Sequence, residues 1–233
     1  MAKLSELTYD VREAIKEYSD DSELDNRYII YLYNVKRAKY LRQELNNYNK
    51  SIDNSIQQKL CLELEEVSSN ECSLNLECDT ILRTVKPIPK PLELHTKTSI
   101  TKVKPTSRIS LPFNFLPKEK LYYLLEGSSF PNSIYAFLDI DNHIYVTSGL
   151  DSHKLLECIT VHGVFENPLE LKDYVDCCGC DATNQCFDMD TTEYPLQPHF
   201  IDLIRMEIIK ELVAQLQIPE DKYNNSNDGE KTS

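Results

Sequence analysis

Cysteine is the residue type with the most chemical potential in this sequence, and there are eight. Cys177, Cys178, Cys180 and Cys186 crowd one short stretch, and Cys72 and Cys78 form a second, looser pair. Thiolates that close can bind zinc, but structural zinc sites favour two Cys-x2-Cys pairs, and only Cys177 and Cys180 have that spacing. Three states stay open for these cysteines: a zinc site, disulfides formed once the protein leaves a reducing cytosol, or free thiols packed in a loop. The histidines His95, His143, His153, His162 and His199 are scattered singly, with no His-x-x-x-His pair. Asp139-x-Asp141 begins like a calcium loop but lacks the glycine and the terminal glutamate, so it reads as a polar hairpin turn. Five glycines, none in a phosphate-cradling loop, argue against nucleotide binding. No Gly-x-Ser-x-Gly supports an esterase. No residue is assigned a catalytic, cofactor-binding or metal-binding role.

Charge says more. The chain has 233 residues, is 41% hydrophobic and 27% charged, and carries a net charge of −13. That balance suits a folded protein with a real core. It argues against a general nucleic-acid binder, which gains affinity by neutralising phosphates. The charge is also uneven. From Arg83 to Arg108 there are seven basic residues (Arg83, Lys86, Lys90, Lys97, Lys102, Lys104 and Arg108) against the single acid Glu93. From Glu166 onward there are fifteen acids against five bases. Such asymmetry fits a molecule that packs against copies of itself or against a complementary partner. It fits equally two solvated faces of opposite sign. The first residues turn acidic without an apolar run, and no stretch of ~18 apolar residues occurs, so neither a signal peptide nor a membrane span is expected.

Leu4, Leu7, Val11, Ala14, Ile15 and Tyr18 recur at helical steps. Ser22-x-x-Asp25 resembles a capping box for a second helix reaching about Leu45. Its buried side should carry Tyr28, Tyr31, Leu32, Val35 and Leu45, with Arg27, Lys36, Arg37, Lys39 and Arg42 largely outside. These helices form a hairpin over residues 1–48. A β region follows over 55–168. In Lys59–Glu65, leucines alternate with Cys61, Glu63 and Glu65, the pattern of a half-buried strand. Pro87, Pro89, Pro91 and Pro105 make the basic stretch an extended segment with short edge strands. Ser133–Phe137 and His143–Thr147 read as a hairpin, and Cys158–Phe165 as a further strand. Residues 169–194 are a Cys-rich loop. Residues 195–219 hold a last helix with Ile201, Ile204, Ile208, Leu212 and Leu216 on one stripe, Pro198 in its first turn and Pro219 at its stop. A polar tail, 220–233, contains one aromatic, Tyr223. The expected fold is one α+β domain, with an N-terminal helical hairpin and a C-terminal helix packed beside a small antiparallel sheet.

Four segments carry a resemblance: Asp10–Ser22 with Asn26–Ile29, Pro87–His95, Gly163–Pro168 and Tyr194–Ile201. They resemble the neck and ring structural proteins of crAss-like phages. The element order is similar to the tail tubular adaptor proteins of short-tailed phages. The resemblance implies a non-enzymatic virion protein, one subunit of a head-to-tail connector ring of about twelve copies below the portal, assembled in the bacterial host cytoplasm. Its partners would be copies of itself, the portal and other neck or tail rings, with DNA passing through unread and no membrane involved. Under that reading Lys86, Lys90, Lys97, Lys102, Lys104, Arg108 and Tyr223 are the expected partner-contact residues. The rival reading is a small zinc-binding regulatory protein using the Cys-rich loop.

Overall fold

The helices form as their apolar spacing dictates. In α1 (Leu4–Lys16), Leu4, Leu7, Val11 and Ile15 are buried at three- and four-residue steps. In α3 (Pro198–Leu216), Phe200, Ile204, Ile208 and Leu212 do the same. The computed structural model describes residues 2–16, 24–47, 51–68, 80–95, 97–106, 111–121, 133–148, 151–174 and 193–216. The expected positions Tyr18, Ser22, Arg108, Pro219 and the tail with Tyr223 lie outside these residues. So do Cys72, Cys78, Cys177, Cys178, Cys180 and Cys186.

Helix α2 (Asn26–Leu45) departs from expectation twice. Its N-cap is Asp25, whose side chain accepts a hydrogen bond from the Arg27 backbone N–H. Its buried face carries Ile29, Leu32, Tyr33, Arg37, Ala38, Leu41 and Leu45. Tyr31, expected inside, is 60% exposed, and Val35 and Tyr28 are also exposed. Arg37, expected outside, is 0% exposed. The helix has two apolar stripes, and the inward one is set by where partners for its cations lie. Lys36 bridges Glu207 (3.0 Å) and Glu211 (2.6 Å) on α3, so its apolar stem is buried while its head is paired.

The sheet is larger than expected and mixed. Seven strands run in the order β3-β7-β1-β2-β6-β5-β4: β1 (Gln58–Ser68), β2 (Thr80–Thr84), β3 (Ile100–Pro105), β4 (Asn114–Phe115), β5 (Ile134–Leu138), β6 (Ile144–Ser148) and β7 (Cys158–Gly163). All neighbours pair antiparallel except β4 and β5, which are parallel. The two edges meet: Phe113, just before β4, donates its N–H to the Val103 carbonyl in β3 at 2.7 Å. The sheet therefore curls almost into a barrel. Leu60, Leu62, Leu82, Val103, Ile144, Val146, Ile159 and Val161 fill its inside as one core. A second core, under α1–α3, includes Ile56, Leu92, Val164, Tyr194 and Leu196. A small third cluster, Val67, Ile81, Tyr135, Phe137 and Tyr145, lies against Leu121 on the outer face.

The β5–β6 hairpin bears out the polar-turn reading of Asp139–Asn142. Asn142 takes a positive φ of 61°. The Asp139 carboxylate pairs with Lys118 (2.7 Å), and Asp141 accepts from the Tyr145 hydroxyl (2.7 Å). Both carboxylates therefore have protein partners, as a turn requires and a calcium loop does not.

Candidate subunit-contact surfaces

Strand β7 lies between β1 and β3, and its register decides what shares each face. Val161 sits opposite Leu60 on one side and Val103 on the other, inside the barrel. By alternation the neighbouring rows face outward. One of them is Lys59–His162–Lys102; the next is Cys61–Thr160–Lys104. A register shift between Ile100 and Lys102 is what keeps Lys102 beside His162. Lys59 and Lys102 are exposed, and Lys104 and His162 half-buried. Cys61 is 8% exposed and disulfide-bonded. Burial, then the charges of Lys104, Lys59 and Lys102, pushes the His162 imidazole below its ordinary pKa, so it is neutral near pH 7. The result is a three-lysine surface around an uncharged ring.

Farther along β1 the carboxylates alternate between faces: Glu63 and Glu65 point outward with Lys59 and Cys61, whereas Glu66 points to the other side with Leu64, as does Glu157 opposite Leu64. Glu63 and Glu66 on β1 and Glu157 just before β7 are exposed. Glu65 between them is bonded to Arg83 at 2.6 Å.

The expected contact residues do not all gather. Lys102 and Lys104 lie in the two successive outward rows described above. Lys90 stands elsewhere, between Glu93 (3.0 Å) and Glu166 (3.6 Å). Lys86 is exposed on the segment after β2, and Lys97 is half-buried before β3. Lys59 and His162 were not among the expected residues. Lys59 lies outside the basic stretch in sequence, and only the strand register brings it there. The carboxylates of the acidic third are partly spent inside the fold. Glu166 pairs with Arg42 as well as Lys90, and Glu207 with Lys36 and Lys39. Hydrogen bonds from Lys39, then Lys36 and Tyr40, pull the Glu207 carboxyl down to about 2.

Three of the resembling segments meet at one buried point, Arg37. Its Nε donates to the Pro195 carbonyl and its Nη1 to the Phe165 carbonyl, each at 2.8 Å. Its guanidinium lies 5.9 Å from the centre of the Tyr194 ring. The Tyr194 hydroxyl donates to Asn34 at 2.7 Å, and Asn34 donates on to Asn167 at 3.2 Å. Backbone bonds from Leu92 to Val164 (2.9 Å) and from Glu166 to Lys90 (3.0 Å) stitch in the Pro-rich segment. Burial lowers the Arg37 pKa and raises that of Tyr194. This junction fixes the helical layer on the sheet and thereby fixes the surfaces that each exposes.

The open depression lined by Tyr40, Gln43, Glu44, Asn47, His199 and Phe200 brings together one titratable pair, His199 and Glu44, at 3.8 Å. Among the described residues no group of three or more His, Cys, Asp or Glu side chains is placed to hold a metal ion. No described helix is long and apolar enough to cross a membrane.

Comparison with known proteins matches residues 6–230 to a family described as phage tail ring protein 2. The chain is also 24% identical over 228 residues to a protein named ring protein 2 of Bacteroides phage crAss001, covering 96% of each chain.

Proposed function

The chain belongs to the phage tail ring protein 2 family, and from that premise we propose that it is a non-enzymatic structural subunit of a virion ring that connects a phage head to its tail. The ring sits below the portal, assembles in the bacterial host cytoplasm from about twelve copies, and lets DNA pass through its centre. The observation that carries this reading is the family match along nearly the whole chain, supported by a relative of almost equal length. A ring closes through a heterologous interface, in which one face of each subunit meets a different face of the next. The uneven charge of the surface supplies two such faces. A net charge of −13 also suits a channel wall, since it repels phosphates rather than holding them.

Lys86, Lys97, Lys102, Lys104 and Arg108 serve contacts with neighbouring subunits or rings, while Lys90 serves chiefly to hold Glu93 and Glu166. The tail, 220–233, docks on a neighbouring protein with Tyr223 as its anchor, because a buried aromatic contributes strongly at an interface. Quantitative mass spectrometry of purified particles tests the role. About twelve chains per portal ring are expected, whereas a protein absent from particles or present at one copy would overturn it. A chain lacking 220–233 should stay as stable as the full chain yet enter particles poorly; normal entry would remove the docking role of the tail.

A further inference from the structure

Helix α2 carries a second apolar stripe that the core does not use. Ile29, Leu32, Tyr33, Leu41 and Leu45 pack inside, whereas Tyr28, Tyr31 and Val35 recur at three- and four-residue steps on the outer side, all three exposed. The Tyr28 and Tyr31 rings stack with centroids 6.4 Å apart, and the Tyr28 hydroxyl is hydrogen-bonded to Gln215 of α3 at 3.3 Å. Single apolar residues on a surface need no explanation, but a contiguous stripe marks a contact, and a helix apolar on two sides expects a partner on each. The frame of this stripe is basic. From Asn26 to Gln43 the helix holds Arg27, Lys36, Arg37, Lys39 and Arg42 and no acid. Arg27, Tyr31, Val35 and Lys39 follow one another at four-residue steps along the outer side. Lys39 and Arg42 reach Glu207 and Glu166, whereas Arg27 has no carboxylate partner among the described residues.

The outer side of α1 is the counterpart. Glu6, Tyr9, Asp10 and Glu13 are spaced to share one side of the helix, away from the buried Leu4, Leu7, Val11 and Ile15. Tyr9 is 62% exposed, and Glu6 and Asp10 are exposed beside it. Asp10 lies 3.8 Å from Arg205, which is closer to Asp202 at 3.1 Å, so one guanidinium answers two carboxylates. Glu6 accepts a hydrogen bond from the Lys3 backbone N–H, and Glu13 pairs with Lys16. Thus α1 presents an aromatic ring among acids, and α2 presents aromatic rings among cations.

We infer that adjacent copies of this chain dock helix to helix, the stripe of Tyr28, Tyr31 and Val35 on one copy taking the face of Glu6, Tyr9, Asp10 and Glu13 on the next. The contact is heterologous, because two different helices meet, and repeated contacts of this kind generate a ring or a filament rather than a closed dimer. Tyr9 is the aromatic that becomes buried at its centre against Tyr31 and Val35. The carboxylates around Tyr9 meet the cations around the stripe, which fixes register and rejects wrong neighbours. A second copy fits the stripe better than DNA does. Two of its three outer cations are already held by Glu207 and Glu166, and an apolar stripe offers phosphates nothing.

This inference rests on the ring reading, and site-specific crosslinking separates the two. A photo-crosslinking phenylalanine analogue in place of Tyr31 keeps an aromatic at an exposed position and reports what lies against it. The full chain carrying it is supplied in place of the natural chain during infection, and purified particles are irradiated and their adducts mapped by mass spectrometry. The expected adducts join position 31 to residues 6–16 of another copy and run as a ladder of multimers on a denaturing gel. Adducts to DNA, to a different particle protein or within a single chain would overturn the docking, as would particles that contain the chain and yield no adduct. Thermal unfolding checks the fold of the labelled chain, and the same analogue at Val35 takes its place if the Tyr31 position impairs folding. A second arm uses Tyr31→Ser with Val35→Ser in one chain, which removes exposed apolar groups. That chain should unfold at the natural temperature yet enter particles at least about tenfold less well. Undiminished entry would overturn the docking. Absence of the natural chain from every ring of the particle would instead remove the reading beneath it.

Discussion

Replacing Arg37 by alanine probes the junction that sets both surfaces. The side chain is 0% exposed and holds the carbonyls of Phe165 and Pro195 at 2.8 Å each. Its removal leaves two buried acceptors without a donor, at about 1–3 kcal/mol each. Loss of the packed methylenes adds about 2 kcal/mol. Against this stands relief of burying a cation with no described carboxylate beside it, which recovers several kcal/mol. The net expectation is a loss of about 3 kcal/mol, or a fall in Tm of about 6–12 °C for a chain of this size. Arg37→Lys keeps the charge but cannot reach two carbonyls in fork geometry, so it should lose most of the same stability. The assay is urea unfolding followed by circular dichroism, with Tm as a second readout. If Arg37→Ala falls within about 0.5 kcal/mol of the natural chain, the junction does not depend on these bonds and the reasoning fails. If Arg37→Lys is fully stable, charge rather than geometry is what matters.

Other consequences follow from the same structure. His162 has a depressed folded pKa, so the unfolded chain binds its proton more readily. Stability should therefore be highest above the unfolded value of about 6.5 and fall as pH drops through that value. The fall should be shallower in His162→Gln, and identical pH profiles would refute it. Asn142 at a φ of 61° should tolerate Asn142→Gly, whereas Asn142→Val should cost about 1–2 kcal/mol by forcing a β-branched residue into the left-handed region. Chemical denaturation that leaves the valine variant unaltered would contradict the turn geometry. A Cβ on Gly163 would meet the Ser99 carbonyl at 3.2 Å and the Ile100 Cα at 3.4 Å, both backbone. Gly163→Ala should accordingly lower stability by about 1–2 kcal/mol in spite of the entropy it removes from the unfolded chain, and a gain in Tm would show that β3 yields.

Periodicity made α1 and α3 legible, because each has a single apolar stripe. It placed Leu32 and Leu45 of α2 inside as found, but set Tyr28, Tyr31 and Val35 there in place of Ile29, Tyr33 and Leu41, which are equally apolar choices. What settles the choice is Arg37, whose two acceptors lie 128 and 158 residues away in sequence. No local pattern encodes that distance. The hairpin around Asn142 was readable from its turn residues, with both strands lying one residue later than their apolar runs suggest. The near-closure of the sheet was not, since it depends on a two-residue strand, β4, and on one bond from Phe113 to Val103. The basic stretch was visible as composition, yet the surface it forms was not. Register adds Lys59 and His162 to Lys102 and Lys104, while Lys90 is drawn away by Glu93 and Glu166.

Electron microscopy of intact particles at a resolution that traces side chains tests the ring assignment most directly. The account predicts this chain in a symmetric ring of about twelve copies around the DNA path. A reconstruction that finds the chain outside any symmetric ring would contradict it.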